Sequence, residues 1–466
     1  MSRRPGAYGL VRRDDAVLLV WDQADEQWYF PGGGIEMGES PEEALAREVT
    51  EETGFRLVSC APLAIVDQPT VKGVTKECHF FLAEVDDADP GPAEHESEWV
   101  PLTEAAAGME NASQLALALA TPSLVTTVVD DLNHPVLPPP GTDHRQAAAD
   151  AGCFHVVEVG PPPSDVSWSR PGGPPDASSE RGLRVVAANL ERGRRLDDWV
   201  TLLTAAEPDV ILISEADGGM ARSGNRYVAR ELADRLGMAF VFAVEFVELS
   251  LGGEEERDEL PADAANEFGV HGGAILSRFP LERPAAVRLE FDGQWYADDS
   301  PEPRVGGRCA LVATVDDVVV VAPHLESHGG PTGRSRQVKD LLDLVEPYAD
   351  GRPVIVGGDL NTHTVDLSGR EEVGGELTPE RFRDPIDREP LFTEAAGRGY
   401  EWSTANTDEP THRTSRGRGD LNLDWFLTRG LRATGPEVIA ALAPDDTPLS
   451  DHDLIAVIVR PERIRP

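Results

Sequence analysis

No apolar run in the 466-residue sequence approaches the ~20 residues that a membrane-spanning helix requires. The chain begins with basic residues, but Arg12, Arg13 and the two aspartates that follow split the apolar stretch, which is not the pattern of a secretory signal. We therefore expect a cytoplasmic protein with no membrane partner.

Cysteine is scarce as well, because only four cysteines occur and they lie far apart in the sequence. No Cys-x-x-Cys pair is present, so neither a zinc site nor a disulfide framework is indicated. This usage agrees with a cytoplasmic location. The cysteines are Cys60, Cys78, Cys153 and Cys309.

Positive charge is the third deficit of the sequence. Lys and Arg number 42 against 83 Asp and Glu, which gives a formal net charge of -41. A field of this sign repels polyanions and slows their association with the protein. It disfavours long nucleic acid as a partner without excluding it, whereas a small nucleotide or phosphoester that arrives with metal ions is repelled less.

The length predicts more than one domain, since domains typically span roughly 100 to 200 residues. Strand and helix patterns mix in both halves, which predicts an α/β (α+β) fold class. Nine prolines between residues 138 and 182 would interrupt any long helix or central strand. We therefore predict a domain at 1–137, a Pro/Gly-rich linker at 138–181 and a second domain at 182–466, with 153–159 as a strand that either domain could include.

One short helix is predicted after residue 40. Ser40 is a typical N-cap, Pro41 suits the first turn, and Gly54 is a typical stop. Three glutamates at spacing i, i+3 and i+4 then share one helix face. They are Glu48, Glu51 and Glu52.

These three carboxylates would repel one another and raise each other's pKa unless a cation lay among them. A hard divalent ion with oxygen ligands, Mg²⁺ or alternatively Mn²⁺, would resolve the repulsion. The alternative is an acidic, solvated helix face. The glycine run Gly32 to Gly34 favours the ligand site, because glycines let the backbone approach a ligand closely.

The segment from Gly33 to Phe55, GGIEMGESPEEALAREVTEETGF, resembles the Nudix box without a departure. The resemblance implies an α/β/α sandwich that binds Mg²⁺ and cleaves a nucleoside diphosphate linked to another moiety. It implies metal binding by the three glutamates, catalytic roles for Glu51 and Glu52, and an orienting role for Arg47. Gly32 and Gly33 would contact the substrate. An acidic residue placed like Glu94, Glu96 or Glu98 serves some members as a further base or ligand, although a solvated loop explains these three equally well.

After the linker, several apolar runs read as buried strands that each end in polar residues. If these strand ends meet at one rim of a sheet sandwich, they gather carboxylates, amides and imidazoles suited to phosphoryl transfer. Singly, each could be a turn, a cap or a buried core histidine. The residues are Asn189, Glu215, His324, Asp359, Asn361, Asp424, Asp451 and His452.

The order of the motifs resembles the endonuclease/exonuclease/phosphatase superfamily, with its deoxyribonuclease-I-like fold of two packed sheets and outer helices. The matching segments are AANLERG, ILISEAD, GGAILSRFP, VAPHLES, VGGDLN, LDWFLTRG and SDHDLIAV. By this resemblance, Glu215 would hold Mg²⁺ with Asn189 and Asp451. Asp359 would orient or deprotonate the attacking water.

The resemblance also implies that Asn361 and His324 hydrogen-bond the phosphoryl oxygens. His452, oriented by Asp451 or Asp424, would act in proton transfer. Three further candidates for phosphate or substrate contact lie at a helix start, with a surface role as the alternative: Arg222, Asn225 and Arg226.

Together these patterns predict a Mg²⁺-dependent hydrolase with two active sites. The first half would cleave a nucleoside diphosphate derivative, and the second a phosphomonoester or phosphodiester. The alternative is that the first half is a nucleotide-sensing module for a nuclease or phosphatase in the second half.

Overall fold

The structure is a computed structural model, and its contacts divide the chain into two units that are described separately. The first unit is built on the described residues up to Pro122, and the second on most of the described residues after it. The described residues are 3–13, 16–23, 27–69, 75–88, 90–105, 116, 121–132, 152–161, 182–289, 296–297, 303–327, 330–362, 385–414, 417–418 and 421–462.

The first unit is organised around a seven-stranded sheet of order β3-β2-β1-β6-β5, with β4 beside β1 and β7 beside β2. Strands β1 and β6 run parallel, whereas β4 is antiparallel to β1. The elements are β1 Arg3–Arg13, β2 Ala16–Asp22, β3 Gln27–Tyr29, β4 Gly32–Gly34, α1 Pro41–Thr53, β5 Arg56–Pro69, β6 Thr75–Asp86, β7 Glu96–Pro101 and α2 Leu102–Ala105.

Helix α1 begins and ends where the sequence predicted. The Ser40 hydroxyl accepts a hydrogen bond from the Glu43 N–H, and the Glu43 carboxylate accepts one from the Ser40 N–H, which forms a capping box. Gly54 ends the helix at a φ of 71°, in the left-handed region that favours glycine. The helix buries Leu45 and Val49 in the core. Its glutamates are therefore left on another face.

The remaining elements follow along the chain. They are β8 Ser123–Val125, β9 Val128–Val129, a 3₁₀ turn Gly152–His155, β10 Val157–Gly160, β11 Leu183–Arg192, α3 Leu196–Ala205, β12 Val210–Gly218, a 3₁₀ turn Ala221–Ser223, α4 Val228–Leu236, β13 Ala239–Glu248, α5 Glu254–Asp258, β14 Val270–Ser277, β15 Glu282–Arg288, β16 Tyr296–Ala297, β17 Arg304–Gly306, β18 Cys309–Val315, β19 Val318–Pro323, α6 Gly330–Ala349, β20 Val354–Asp359, α7 Pro390–Gly397, β21 Arg413–Thr414, β22 Gly417–Arg418, β23 Asp424–Arg429, β24 Leu431–Ile439 and β25 Leu454–Pro461.

The second unit is a sandwich of two sheets. One sheet contains the strand order β13-β14-β12-β11-β25-β24, and the other has the order β23-β20-β19-β18-β15-β8. Residues such as Leu212 and Ile275 of the first sheet share a buried core with Val320 and Phe426 of the second. Helices α6 and α7 cover the outer face of the second sheet, while α4 packs on β12 and β13. The predicted mixed fold class, with helices outside two packed sheets, is confirmed.

The strand pairings bear on the boundary between the units. Strand β8 pairs with β15, β9 pairs with β10, and β10 pairs with β13, so residues 123–129 and 157–160 belong to the sheets of the second unit. The predicted limits 1–137, 138–181 and 182–466 stay a prediction, because residues 133–151 and 162–181 lie outside the described residues. Among the helices that the structure describes, none is both long and apolar enough to cross a membrane.

Two candidate active sites

The glycine strand β4 lies against the glutamates of α1. The Gly32 N–H donates to Glu52 Oε2 at 2.8 Å. At Gly33, a Cβ atom would lie 2.6 Å from the Glu48 carboxylate, so a side chain there would displace this carboxylate. The structure thus brings Gly32 and Gly33 to two of the three predicted metal-binding glutamates.

Arg47 spans the acidic face of α1. Its guanidinium donates to Glu39 at 2.8 and 2.9 Å, to Glu48 at 2.7 Å and to Glu51 at 3.3 Å. It also donates to the Gly34 carbonyl at 3.0 Å, which ties the glycine strand to the helix. The bonds from Arg47 lower the pKa of Glu39 to about 2. Arg47 therefore contacts two of the three glutamates that it was predicted to orient.

Glu52 is in an unusual electrostatic environment. Burial raises its pKa to about 7, and the negative charges of Glu48, Asp22 and Glu94 add to this effect. The Gly32 N–H offsets only part of it. A carboxylate held in this way among like charges is stabilised by a cation. The oxygen ligands that the helix face offers suit a hard divalent ion, so the residues present fit the metal that the sequence implies.

A cavity of about 470 Å³ opens beside Glu52 and the glycine strand. Its wall combines aromatic and basic side chains, which is the composition of a pocket for a polar, ring-containing ligand. Besides Glu52, Gly32 and Gly33, the lining residues include Arg4, Gly6, Tyr8, Asp22, Tyr29, Lys76 and His95.

His95 is a cavity residue that the sequence analysis did not single out. The backbone N–H groups of Glu94 and His95 donate to the carbonyls of Glu51 and Glu52, at 2.9 and 3.2 Å, so this loop is attached to the end of α1. The imidazole Nε2 lies 3.8 Å from Glu52 Oε1. The same region carries the three glutamates that were candidates for a further base or ligand, and all three are exposed: Glu94, Glu96 and Glu98.

In the second unit, backbone irregularities aim Glu215 into the site. Strand β12 is bulged between Ile213 and Ala216, and Glu215 has a φ of 56°. Bulges re-aim side chains, and non-glycine residues in this region of φ cluster at functional sites. Glu215 forms an ion pair with Arg192 and lies 3.9 Å from His324 Nε2. Burial opposes its charge, but these cations outweigh burial and hold the pKa of Glu215 well below its ordinary value.

Asp359 lies at the centre of the predicted strand-end residues. Its Oδ2 accepts a hydrogen bond from Asn189 Nδ2 at 3.0 Å, and it lies 3.6 Å from His324 Nε2 and 3.7 Å from His452 Nε2. Its Oδ1 accepts from the Asn361 N–H at 2.8 Å. Four separate segments of the chain, including that of Asp359 itself, therefore meet at one buried carboxylate.

Asp424, rather than Asp451, orients His452. The Asp424 Oδ2 lies 2.8 Å from His452 Nδ1 and accepts a second hydrogen bond from the Thr411 hydroxyl at 2.8 Å. Asp451 is 55% exposed and lies 3.9 Å from Nε2. Burial would lower the pKa of His452, but the charges of Asp424 and Asp359 hold this pKa well above its ordinary value.

Among the described residues, Asp359, Asp424 and His452 also place one potential metal-ligand atom each within 4.8 Å of one another. Since His452 Nδ1 is already bonded to Asp424, this group is a hydrogen-bonded charge pair next to Asp359. We therefore do not assign the cation to it.

A second group of acidic residues lies around Glu215. Glu191 accepts a hydrogen bond from the Asp451 N–H at 3.0 Å, and its own N–H donates to Asn189 Oδ1 at 3.0 Å. Burial raises the pKa of Glu191, and the charges of Asp451 and Glu215 raise it further. Glu191 thus adds a carboxylate next to the predicted ligands Asn189 and Asp451, and its pKa responds to the charge of Glu215. This oxygen-donor set also fits a hard divalent ion.

His324 has two partners that the sequence analysis missed. Its Nδ1 lies 3.0 Å from Glu245 Oε2 and 2.8 Å from an Arg308 nitrogen. Arg308 in turn lies 3.5 Å from Glu326. Burial raises the pKa of Glu245, but its interactions with His324 and Arg308 lower this pKa by more. The carboxylate therefore stays charged. The sequence did contain one sign of this pairing, a glutamate within the mostly apolar strand β13. Buried charges are normally paired, so this glutamate indicated a nearby cation.

Asn361 and Asn225 use their amides within the protein. Asn361 Nδ2 donates to the Leu325 carbonyl at 2.8 Å, and Asn361 has a φ of 50°. Asn225 donates to the Ala265 carbonyl at 3.0 Å and accepts from the Glu267 N–H at 3.2 Å. Asn225 therefore holds the 265–267 loop, while Asn361 remains within the Asp359 cluster.

The structure gives Arg222 a different role from the predicted substrate contact. Its side chain is fully buried and donates two hydrogen bonds of 2.9 Å to Asp217, which is fully buried as well. Glu248 and Glu256 lie 3.5 and 3.4 Å away. His271 Nδ1 contacts Asp217 at 2.8 Å. Arg222 therefore neutralises internal carboxylates and is not accessible to a substrate.

Models of two known families match this chain. A model of the NUDIX domain matches residues 2–119, and a model of the endonuclease/exonuclease/phosphatase family matches residues 186–452, more than half of the chain. The chain belongs to the endonuclease/exonuclease/phosphatase family. In this member of the family the N-terminal part carries a NUDIX domain, so both resemblances seen in the sequence are confirmed. Both families are hydrolases of phosphate ester or anhydride bonds, and both generally depend on divalent metals.

Individual relatives of this family member match only parts of it. A MutT-like protein of Streptomyces ambofaciens is 45% identical over 67 residues, covering 14% of the chain and 43% of the relative. A CMP-5'-(N-acetyl-N-hydroxy-3-aminopropyl)phosphonate hydrolase of Streptomyces rubellomurinus is 34% identical over 114 residues, covering 22% and 55%. The chain spans between about a third and two thirds of the length of the first such relatives.

A solved endonuclease/exonuclease/phosphatase from Beutenbergia cavernae covers 60% of the chain and 72% of its own, at 19% identity and a TM-score of 0.41.

Proposed function

We propose that the protein is a Mg²⁺-dependent hydrolase with two active sites, in which Mn²⁺ can replace Mg²⁺. The NUDIX domain cleaves a nucleoside diphosphate linked to another moiety, and the second unit hydrolyses a phosphomonoester or phosphodiester. The observation that supports this most strongly is the convergence of Asn189, His324 and His452 on Asp359, at 3.0 to 3.7 Å.

In the NUDIX domain, Glu48, Glu51 and Glu52 would hold the cation. The cation would supply neutralisation of the charge that develops on the anhydride oxygens. Arg47 fixes two of these carboxylates, and the Gly32 N–H fixes the third. The residues therefore keep the acidic face in one arrangement, which lowers the reorganisation that the reaction requires.

In the second unit, Glu215, Glu191, Asp451 and Asn189 would hold the cation. Burial raises the pKa of Asp359, which makes this carboxylate a stronger base toward an attacking water. The raised pKa of His452 keeps its imidazole protonated, so Nε2 can donate a proton or a hydrogen bond to a substrate oxygen.

A small substrate suits the charges near the second site. Arginines there are paired with carboxylates, such as Arg192 with Glu215 and Arg413 with Asp453. Contacts to a nucleic-acid backbone normally come from Lys and Arg, and the net charge of -41 opposes them further. We therefore propose a small nucleotide or phosphoester as the substrate and, from the scarcity of cysteine, a cytoplasmic location.

The test is hydrolysis by the full-length protein of nucleoside diphosphate derivatives and of simple phosphate esters, with Mg²⁺, Mn²⁺ or chelator. We expect Glu52→Gln to abolish anhydride cleavage and Asp359→Asn to abolish ester cleavage, each without effect on the other reaction. Unchanged product formation in both variants would refute the assignment. Nucleotide binding without turnover would instead indicate that the NUDIX domain is a sensing module.

A further inference from the structure

Two cations of the NUDIX domain stand out in this acidic chain. Many arginines are matched to carboxylates, such as Arg13 to Asp87 at 2.6 Å. Arg4 and Lys76 differ, because within the described residues neither side chain has an ion-pair or hydrogen-bond partner. The chain has 83 acidic residues, yet none in the described part of it forms an ion pair with either cation.

The sheet places both cations on one wall of the cavity. Arg4 of β1 and Lys76 of β6 are register partners in a parallel pair, so their side chains leave the same face of the sheet on adjacent strands. Along β1, Arg4, Gly6 and Tyr8 alternate on that face, and all three line the cavity together with Lys76. The same cavity is bounded by Glu52.

Gly6 keeps the space between these groups open. A Cβ atom at Gly6 would lie 2.9 Å from the Tyr8 hydroxyl and 3.0 Å from the Gly33 carbonyl. Any side chain at this position would therefore enter the cavity between Arg4 and the glycine strand. The lack of a side chain leaves a continuous path from the two cations to the acidic face of α1.

The cavity thus has carboxylates on one side and unmatched cations on another. The carboxylate side would hold the cation. The cationic side then suits a phosphate group of the ligand, since positive groups on a concave wall attract anions. Tyr8 and Tyr29 in the same wall offer aromatic faces to a nucleobase.

We propose that Arg4 and Lys76 form a phosphate subsite of the NUDIX domain, which selects nucleotides through a phosphate group. This inference rests on the proposed function of that domain. Arg4 and Lys76 are specificity residues, because they bind the ligand without acting on the reacting atoms. Arg4 is exposed and Lys76 half-buried, so neither is needed for the core and both can be changed without unfolding the domain.

The test is calorimetric titration of the full-length Glu52→Gln protein, in which cleavage is suppressed, with ADP and with adenosine. Added Arg4→Gln or Lys76→Gln should each raise the Kd for ADP about ten- to hundredfold, as expected for one charge-assisted hydrogen bond. Binding of adenosine should not change. The Kd of each variant should also depend less steeply on salt than that of the parent.

Arg56→Gln is the matched control, because Arg56 is 72% exposed and paired with Asp86 outside the cavity wall. An ADP affinity within twofold of this control in both variants would overturn the proposal. So would equal losses of affinity for ADP and for adenosine, or a parent protein that does not bind ADP. Failure of the proposed function gives a different result. In that case the wild-type chain cleaves the anhydride, and the Glu52→Gln substitution does not reduce this cleavage.

Discussion

Replacing Arg222 by glutamine separates an internal role from a substrate contact. In the folded protein the guanidinium lies between Asp217 and Glu248, whose side chains are 0% and 1% exposed. Glutamine cannot supply the positive charge, so these carboxylates would remain buried without neutralisation. The variant should therefore lose stability rather than substrate affinity.

The size of the loss follows from this burial. Breaking a buried ion pair by removing one partner costs about 3–5 kcal/mol, because a charge is left uncompensated. This is a large part of the about 5–15 kcal/mol that stabilises a typical domain. For a unit of this size, 1 kcal/mol shifts Tm by about 2–4 °C, so we expect the second unit to melt about 6–20 °C lower.

The effect should also depend on pH. In the wild type, burial would raise the pKa of Asp217, but the bonds from Arg222 and His271 lower it from 3.8 to about 2. The stability that this carboxylate contributes is therefore present above pH 3.8 and is lost as the pH falls toward 2. Without Arg222, burial dominates and the pKa rises above 3.8. The folded variant then binds more protons than the unfolded chain. Its loss of stability relative to the wild type should therefore become smaller as the pH is lowered from 8 to 5.

Scanning calorimetry of the full-length protein measures this, provided that the two units give separate transitions. Only one transition should move in the Arg222→Gln variant. The control is Arg226→Gln, since Arg226 and Glu231 are 40% exposed and lie 3.4 Å apart, and its expected cost is below about 1 kcal/mol. A loss below about 1 kcal/mol in Arg222→Gln, accompanied by a raised KM for the ester substrate, would refute the internal role.

Three further substitutions test the sites themselves. Asp424→Asn should lower ester hydrolysis about 10²- to 10⁴-fold in steady-state assays without affecting anhydride cleavage, because His452 loses the carboxylate 2.8 Å from its Nδ1. Gly33→Ala should lower anhydride cleavage without affecting ester hydrolysis in the same assays, since its Cβ would lie 2.6 Å from the Glu48 carboxylate and displace it. Glu215→Gln should weaken Mn²⁺ binding to the second unit, measured by electron paramagnetic resonance, and unchanged binding would remove Glu215 from the ligand set.

Local patterns in the sequence were sufficient to predict helix α1 and the convergence of the strand ends. The helix follows from Ser40, Pro41 and Gly54, which are all within one segment. The convergence follows because each strand is an apolar run with a polar residue at its end, and strands of one sandwich share rims. Asp359 and His452 could therefore be placed together before their distance was known.

The partners of His324 could not be predicted in this way. Glu245 and Arg308 are 79 and 16 residues from His324 in sequence, and neither stands at the end of an apolar run of the kind used to select candidates. Their contact depends on the order of strands across the two sheets, which local patterns do not specify. Arg222 was misjudged for the same reason, because only the fold reveals that Asp217 and Glu248 surround it.

The two units handle charge in different ways, and this difference bears on what each can bind. In the second unit, internal carboxylates are matched by internal arginines, as in the fully buried pair Arg334 and Glu389 at 2.6 Å. Such pairs neutralise charges inside the unit. In the NUDIX domain, burial and neighbouring carboxylates raise the pKa of Glu52 to about 7, and Arg4 and Lys76 lack a carboxylate partner among the described residues. Because a carboxylate of raised pKa and two cations without a described carboxylate partner line one cavity, the ligand that we propose for it is a phosphate-bearing nucleotide accompanied by a divalent cation.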